Sequence, residues 1–323
     1  MPTSNGSDID RSVGQLAADL CWGAWAELGV SGWGRTHQQW AIDPEPLIIF
    51  TALIGEKERR LQDEAMDWCI HNWRSISQTR LRNLLRLQTD LDAWGPFAAT
   101  VNARAGVRWP EATTERTSYR VTGRSTLRSL SEPSLVALRM RAMFGVGTRT
   151  EILRFLLLDP GSSASAVTLA AATSSAKRNV ADECDRLAQA GVLSVRTVGN
   201  RFYYSLRHPS SLAHLVGSTP SIAPSWNALF RVVGTITALA GVAGEVSRDV
   251  LIVETHQAAL AIEDDLGTLG IEGPERVSGA GLLEVWDRWA TGAMGKFAAG
   301  GWPGAEPEPA VRPRPVVAAS RQR

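Results

Sequence analysis

Lysine, cysteine and histidine are scarce in this sequence of 323 residues, with 3, 3 and 5 copies. Cys21, Cys69 and Cys184 are odd in number, far apart and form no C-x-x-C pair. That excludes a disulfide framework and a thiolate zinc site, and fits three buried thiols in a reducing cytosol. His37, His71, His208, His214 and His256 include no H-x-x-x-H pair, which argues against a metalloenzyme. No apolar run approaches the ~18–20 residues needed to cross a bilayer. The opening MPTSNGSDID lacks the basic and apolar regions of a secretory signal. A cytoplasmic protein without membrane contact is expected. Enzyme signatures are missing too: G-x-G-x-x-G after a strand, G-x-x-x-x-G-K-[ST], G-x-S-x-G and H-E-x-x-H are all absent. No catalytic residue, metal or cofactor is expected.

What is present describes a folded, segmented chain. Apolar residues make up 44% and charged residues 21%, enough to bury a core, and the length suits two domains or three. The net charge of +1 hides a segregation. Residues 74–207 hold 20 basic and 10 acidic side chains, a net of +10, leaving 14 and 23, a net of −9, for the remainder. A basic middle suits a polyanion.

The apolar spacing predicts a mainly α protein. Residues 1–10 are polar and expected to be disordered. Residues 11–104 read as a helical domain: Leu16, Leu20 and Ala24 recur at helical spacing, and PLIIFTALIG runs from Pro46 to Gly55. Leu61, Ala65, Trp68 and Cys69 share a face, and TRLRNLLRLQTDLDAW follows with Leu81, Leu84, Leu85, Leu87 and Leu91. Residues 105–147 form a connector with a strand expected at SYRVT and a short helix ending at Gly145. Residues 208–298 form a C-terminal helical domain for dimerisation or effector binding. Its stripes include Leu229, Val232, Val233, Ile236 and Leu239, then Leu251, Ile252, Ala259, Ile262 and Leu266, then Leu282, Leu283, Val285, Trp286 and Trp289. The proline-rich residues 299–323 are expected to be a disordered tail.

Residues 148–207 carry the most information. Ile152, Leu153, Leu156 and Leu157 stripe a first helix. Val167, Leu169 and Ala170 are core candidates of a second. Thr173 or Ser174 is expected to cap a third that buries Ala176, Val180, Cys184 and Leu187 and stops at Gly191. LSVRTV and RFYYSL then flank Gly199–Asn200, a hairpin signal. Tyr203 and Tyr204 should point to opposite faces.

NVADECDRLAQAGVL and GNRFYYSL resemble the recognition helix and wing of bacterial winged helix-turn-helix regulators of the MarR/ArsR type, over about 60 of the 323 residues. Cys184 stands where such proteins usually carry leucine. The resemblance implies a central winged helix, three helices plus a β-hairpin wing, between N-terminal and C-terminal helical domains. It implies that the third helix lies in the major groove of double-stranded DNA. Arg178 would read guanine, Asn179 adenine, and Lys177 would meet a phosphate. Ser174 and Ser175 would bind phosphate at the helix N-terminus, and Arg196, Asn200 and Arg201 would reach the backbone or minor groove from the wing.

Competing readings attach to other features. Arg80, Arg82, Asn83 and Arg86 on one helix read as a solvated basic face ahead of a second DNA-binding unit. Trp22, Trp25, Trp33 and Trp40 read as core ahead of a ligand-stacking pocket. Glu263, Asp264 and Asp265 are consecutive and radiate around their helix, which leaves no convergent metal site. The expected function is a homodimeric, sequence-specific transcriptional regulator. The alternative is an antitoxin-like or defence-system protein that holds a protein partner through its helical flanks and binds DNA for autoregulation. An enzyme with an unfamiliar site around Trp33, His37 and Trp40 ranks last.

Overall fold

A computed structural model describes residues 4–303 apart from 56, 57, 89, 160 and 280. The chain is mainly α, with fourteen α-helices and one three-stranded antiparallel sheet among the described residues. No helix among them is long and apolar enough to cross a membrane.

Helix α1 (Ser4–Leu28) starts well before residue 11, so the backbone is already helical where disorder is expected; residues 1–3 lie outside the described residues. Pro44 and Pro46 sit in the first turn of α2 (Pro44–Ile54), where a missing N–H costs nothing. Helix α3 (Arg59–Asn72) buries Leu61, Ala65, Trp68 and Cys69 completely, as their spacing requires. Ser77 caps α4 (Gln78–Leu85) by accepting from the Arg80 amide. That helix stops earlier than its leucines imply, leaving Leu87 exposed, and α5 (Trp94–Ala105) begins anew.

No strand forms at SYRVT. Residues 117–126 instead run as an extended strap across the helices. The Thr122 hydroxyl donates to Glu64 and Asp67, the Gly123 amide donates to Asp67, and the Ser125 hydroxyl donates to Glu64. The strap passes so close to Gly29 (φ 105°) that a β-carbon there would overlap the Thr126 carbonyl oxygen. Helix α6 (Val136–Phe144) then ends at Gly145, and α7 (Thr148–Leu158) opens the informative segment.

Within that segment come β1 (Ala164–Ser165), α8 (Ala166–Thr173), α9 (Lys177–Gln189), β2 (Leu193–Val198) and β3 (Arg201–Leu206). The expected hairpin is present, and β1 adds a third strand by pairing Ala164 with Tyr204. Ile152, Leu156, Leu169, Val180, Cys184, Leu187, Leu193 and Tyr204 form one compact core. Two expected core residues are not in it: Val167 is 57% exposed, and Ala176 is exposed because α9 begins one residue after it.

Helices α10 (Pro209–Val216), α11 (Trp226–Val242), α12 (Arg248–Ala261), α13 (Glu263–Leu269) and α14 (Gly281–Ala298) complete the chain. Helices α11 and α14 return to the N-terminal helices, α13 packs on α11, and all three share one hydrophobic core with the N-terminal helices. The two helical flanks drawn separately from the sequence thus pack as one body, into which residues 148–207 are inserted. The segments around Trp40 and Ile222 stitch its halves, with Ala41 and Ile222 amides donating to Ile222 and Gln39 carbonyls at 2.7 and 2.8 Å.

Tryptophans anchor this body. Trp25, Trp40, Trp68 and Trp94 are fully buried, and their indole N–H groups donate to Thr51, Gly300, Leu28 and Pro110. Trp22 is buried as well, whereas Trp33 stacks on Trp22 with one face in solvent. Residues 299–303 are not a free tail: Gly300 accepts from Trp40, and Trp302 packs on Trp40 and Phe297. The remainder of that stretch, 304–323, lies outside the described residues. On α12 the expected stripe is only half-buried at Leu251, Ile252 and Ala259, with Thr255 and Ala258 turned inward instead. All three cysteines are buried and free, and burial pushes the Cys184 thiol up to about 12.

Candidate nucleic-acid interface

The candidate surface is built on α9. Val180, Cys184 and Leu187 face α7 and α8, so Lys177, Arg178, Asn179 and Asp182 are turned to solvent. The ion pairs of this helix lie in its C-terminal half. Glu183 joins Arg149 at 2.9 Å and Arg186 at 2.8 Å, and Asp185 accepts from the Tyr204 hydroxyl at 3.2 Å. Burial and the nearby Asp185 push the Tyr204 phenol up to about 12, so it stays a donor. The N-terminal half keeps Lys177 and Arg178 without an ion pair among the described residues. Asn179 lines a polar cleft with Asp182, Glu183 and Arg186, opposite the α6–α7 turn at Phe144–Thr150.

The turn before α9 differs from the expected cap. Ser174 adopts φ 51° and ends α8, its amide and that of Ser175 donating to Ala171 and Ala170 carbonyls. The Thr173 hydroxyl donates to the Leu169 carbonyl, and Ala176 occupies the cap position with no side-chain bond. Neither Thr173 nor Ser174 caps α9, and the amides of Ser174 and Ser175 are spent inside the turn. The unpaired amides that a helix start leaves belong to residues 176–179.

Helix α4 grips this turn. Arg80 Nε donates to the Thr173 carbonyl at 3.0 Å, and Asn83 Nδ2 donates to the Ser174 carbonyl at 2.9 Å. Arg80 is therefore not on a solvated face; it is 3% exposed, whereas Arg82 and Arg86 are exposed. Behind the grip lies a buried network of three carboxylates and three guanidinium groups. Arg80 meets Asp43 and Glu45, Arg141 bridges Glu45 and Glu151 at 2.7 Å each, and Arg154 reaches Asp43 at 3.1 Å and Glu151 at 2.8 Å. Burial alone would raise the Glu151 carboxyl, but Arg141, Arg154 and Arg80 outweigh it and hold it at about 2. The same balance holds Asp43 far below the usual carboxylate range. The network joins α2, α4, α6 and α7 and so fixes the 148–207 unit against the helical body. Glu151 meets Arg154 within one helical turn and Arg141 ten residues away, but the ties to Asp43 and Glu45 span 35 to 111 residues, and no local pattern marks those.

On the hairpin, Gly199 takes φ 62° at the first turn position, as a two-residue turn of this hand requires. Cross-strand pairing sets Arg196 opposite Tyr203 and Val198 opposite Arg201, so Arg196 and Arg201 stand diagonally on one face. Asn200 is exposed at the tip, beside the exposed Val195, Val198 and Phe202. Tyr204 is buried and Tyr203 half-buried on the other face, as the strand period requires.

Around Trp40 the side chains of His37, Trp226 and Phe297 pack as core. His37 is buried, bonded to Thr36 and the Phe297 carbonyl, and burial lowers it to about 4, so it is a neutral core imidazole. Among the described residues no three metal-ligating side chains converge. Searches of protein-family models, curated proteins and solved structures find no match to this chain.

Proposed function

We propose that residues 148–207 are a winged helix-turn-helix between N-terminal and C-terminal helical segments, and that the chain is a cytoplasmic, homodimeric, sequence-specific transcriptional regulator. The observation that carries this reading is the exposed N-terminal half of α9, with Lys177, Arg178 and free helix-start amides, beside a hairpin bearing Arg196 and Arg201 on one face. Arg178 reads a base edge, Lys177 and the first α9 amides hold phosphate, and the hairpin arginines hold the backbone or minor groove. Ser174, Ser175 and Asn200 contribute through side chains. Asn179 reaches adenine from the rim of the polar cleft. Because α4 abuts the turn before α9, Arg82 and Arg86 extend the same surface as phosphate contacts.

Selection of bound fragments from a genomic DNA library by the full chain, followed by sequencing, tests this. A single enriched motif with two-fold symmetry is expected. Uniform recovery at all sequences contradicts specificity, and no recovery contradicts DNA binding.

A second reading is favoured by one observation. On α12, Val250, Val253 and Leu260 are 46%, 53% and 57% exposed at helical spacing. In the first reading a second copy covers this stripe; in the second, a different protein does. Sedimentation of the full chain separates them, since a dimer that Leu260→Glu dissolves supports the first and a monomer at all concentrations supports the second.

A further inference from the structure

Helices α1, α11, α12 and α14 line a partly open cavity of about 210 Å³ in the helical body. Its walls are apolar: Val13, Ile236, Leu239, Leu251, Leu283 and Trp286. One charged group interrupts them, the carboxyl of Asp287. Among the described residues Asp287 has no ion pair and no hydrogen bond. Asp287 is half-buried, and the more deeply buried Asp43, Glu45, Glu151 and Asp265 are each met by an arginine. Partial burial pushes the Asp287 carboxyl above its ordinary value, as expected for a charge partly withdrawn from water without a counter-ion.

The unmet group defines its complement. A carboxylate against an apolar wall repels anions and gains most from a cation that brings its own apolar surface. Trp286 lines the same wall and offers an aromatic ring suited to a cation. The hydroxyls of Thr255, which donates to the Leu251 carbonyl, and of Thr291 also line the wall, and Asp287 is its charged group. A cavity of about 150 Å³ holds benzene, so this one suits an aryl ring with a short chain, about ten non-hydrogen atoms.

We propose that this cavity binds a small hydrophobic amine as its ammonium, the charge on Asp287 and the apolar body between α11, α12 and α14. Calorimetric titration of the full chain with 3-phenylpropylammonium, 3-phenylpropanol and 3-phenylpropanoate tests it. The ammonium should bind once per chain, the alcohol at least tenfold more weakly, and the carboxylate not at all. Asp287→Asn should bring the ammonium to the level of the alcohol, and Leu283→Trp should abolish both by filling the space. Asp287→Asn removes an uncompensated charge, so it should unfold no earlier than the parent on heating. No heat with the ammonium, equal affinity for ammonium and alcohol, or unchanged ammonium affinity in Asp287→Asn would each overturn the proposal.

Discussion

Ser174 holds a left-handed backbone conformation that costs an L residue about 1 kcal/mol or more. Replacing it with glycine is expected to raise stability by roughly 0.5–1 kcal/mol, read from thermal or urea unfolding, while Ser174→Val lowers it. An unchanged midpoint for both contradicts a strained turn. Nothing local announces this conformation, because Thr-Ser-Ser ahead of a helix looks like a cap. What the residues do announce is periodicity. Val180, Cys184 and Leu187 were legible as an inward face, and with them the outward position of Lys177, Arg178 and Asn179. Ala176 reads as inward by the same period but stands at the cap, because the start of α9, set by the preceding Ser174 turn, was not visible.

At the scale of elements, α4 is the piece whose role changes most. Its arginines alternate between duties: Arg80 is consumed inside, while Arg82 and Arg86 remain outside. Arg80→Met leaves Asp43 with Arg154 alone and Glu45 with Arg141 alone, and is expected to cost about 3 kcal/mol, seen as a lowered unfolding midpoint or separate melting of the 148–207 unit. The network also sets an acid limit. Because Glu151 is held at about 2 against an ordinary 4.5, its contribution is fully present above about pH 4.5 and lost as pH falls toward 2. Stability measured across that window should fall steeply in the parent and less steeply in Glu151→Gln. Equal slopes would show that the pairing does not hold Glu151 ionised. Hairpin, strap and network differ in legibility for one reason. A hairpin is written in adjacent residues, whereas the strap's bonds to Glu64 and Asp67 and the ties of Asp43 to Arg80 and Arg154 join distant ones.

Over the whole molecule, ten of the 20 basic residues between 74 and 207 show how unlike their settings are. Arg80, Arg141 and Arg154 are neutralised inside, Arg116, Arg120 and Arg124 are exposed around the strap, and Lys177, Arg178, Arg196 and Arg201 are exposed on the inserted unit. Arg80, Arg141 and Arg154 enter the charge excess of the sequence without contributing to a cationic surface. The union of the two helical flanks was likewise hidden, since α1 and α14 meet across nearly the full length of the sequence. If α4 extends the interface, Arg82→Ala with Arg86→Ala should flatten the salt dependence of DNA affinity by about two ions without shifting base preference. An unchanged slope would confine binding to the inserted unit.

The central claim is that α9 and the hairpin divide reading from holding on a duplex. DNA affinity of the full chain on its selected sequence and a scrambled one, measured by anisotropy across a salt series, tests it in the parent, Arg178→Ala and Arg201→Ala. The account predicts that Arg178→Ala narrows the gap between the two sequences by about 1–3 kcal/mol. It predicts that Arg201→Ala weakens both equally and lowers the salt slope by about one. Identical behaviour of the two variants, or a parent that binds neither sequence, would contradict it.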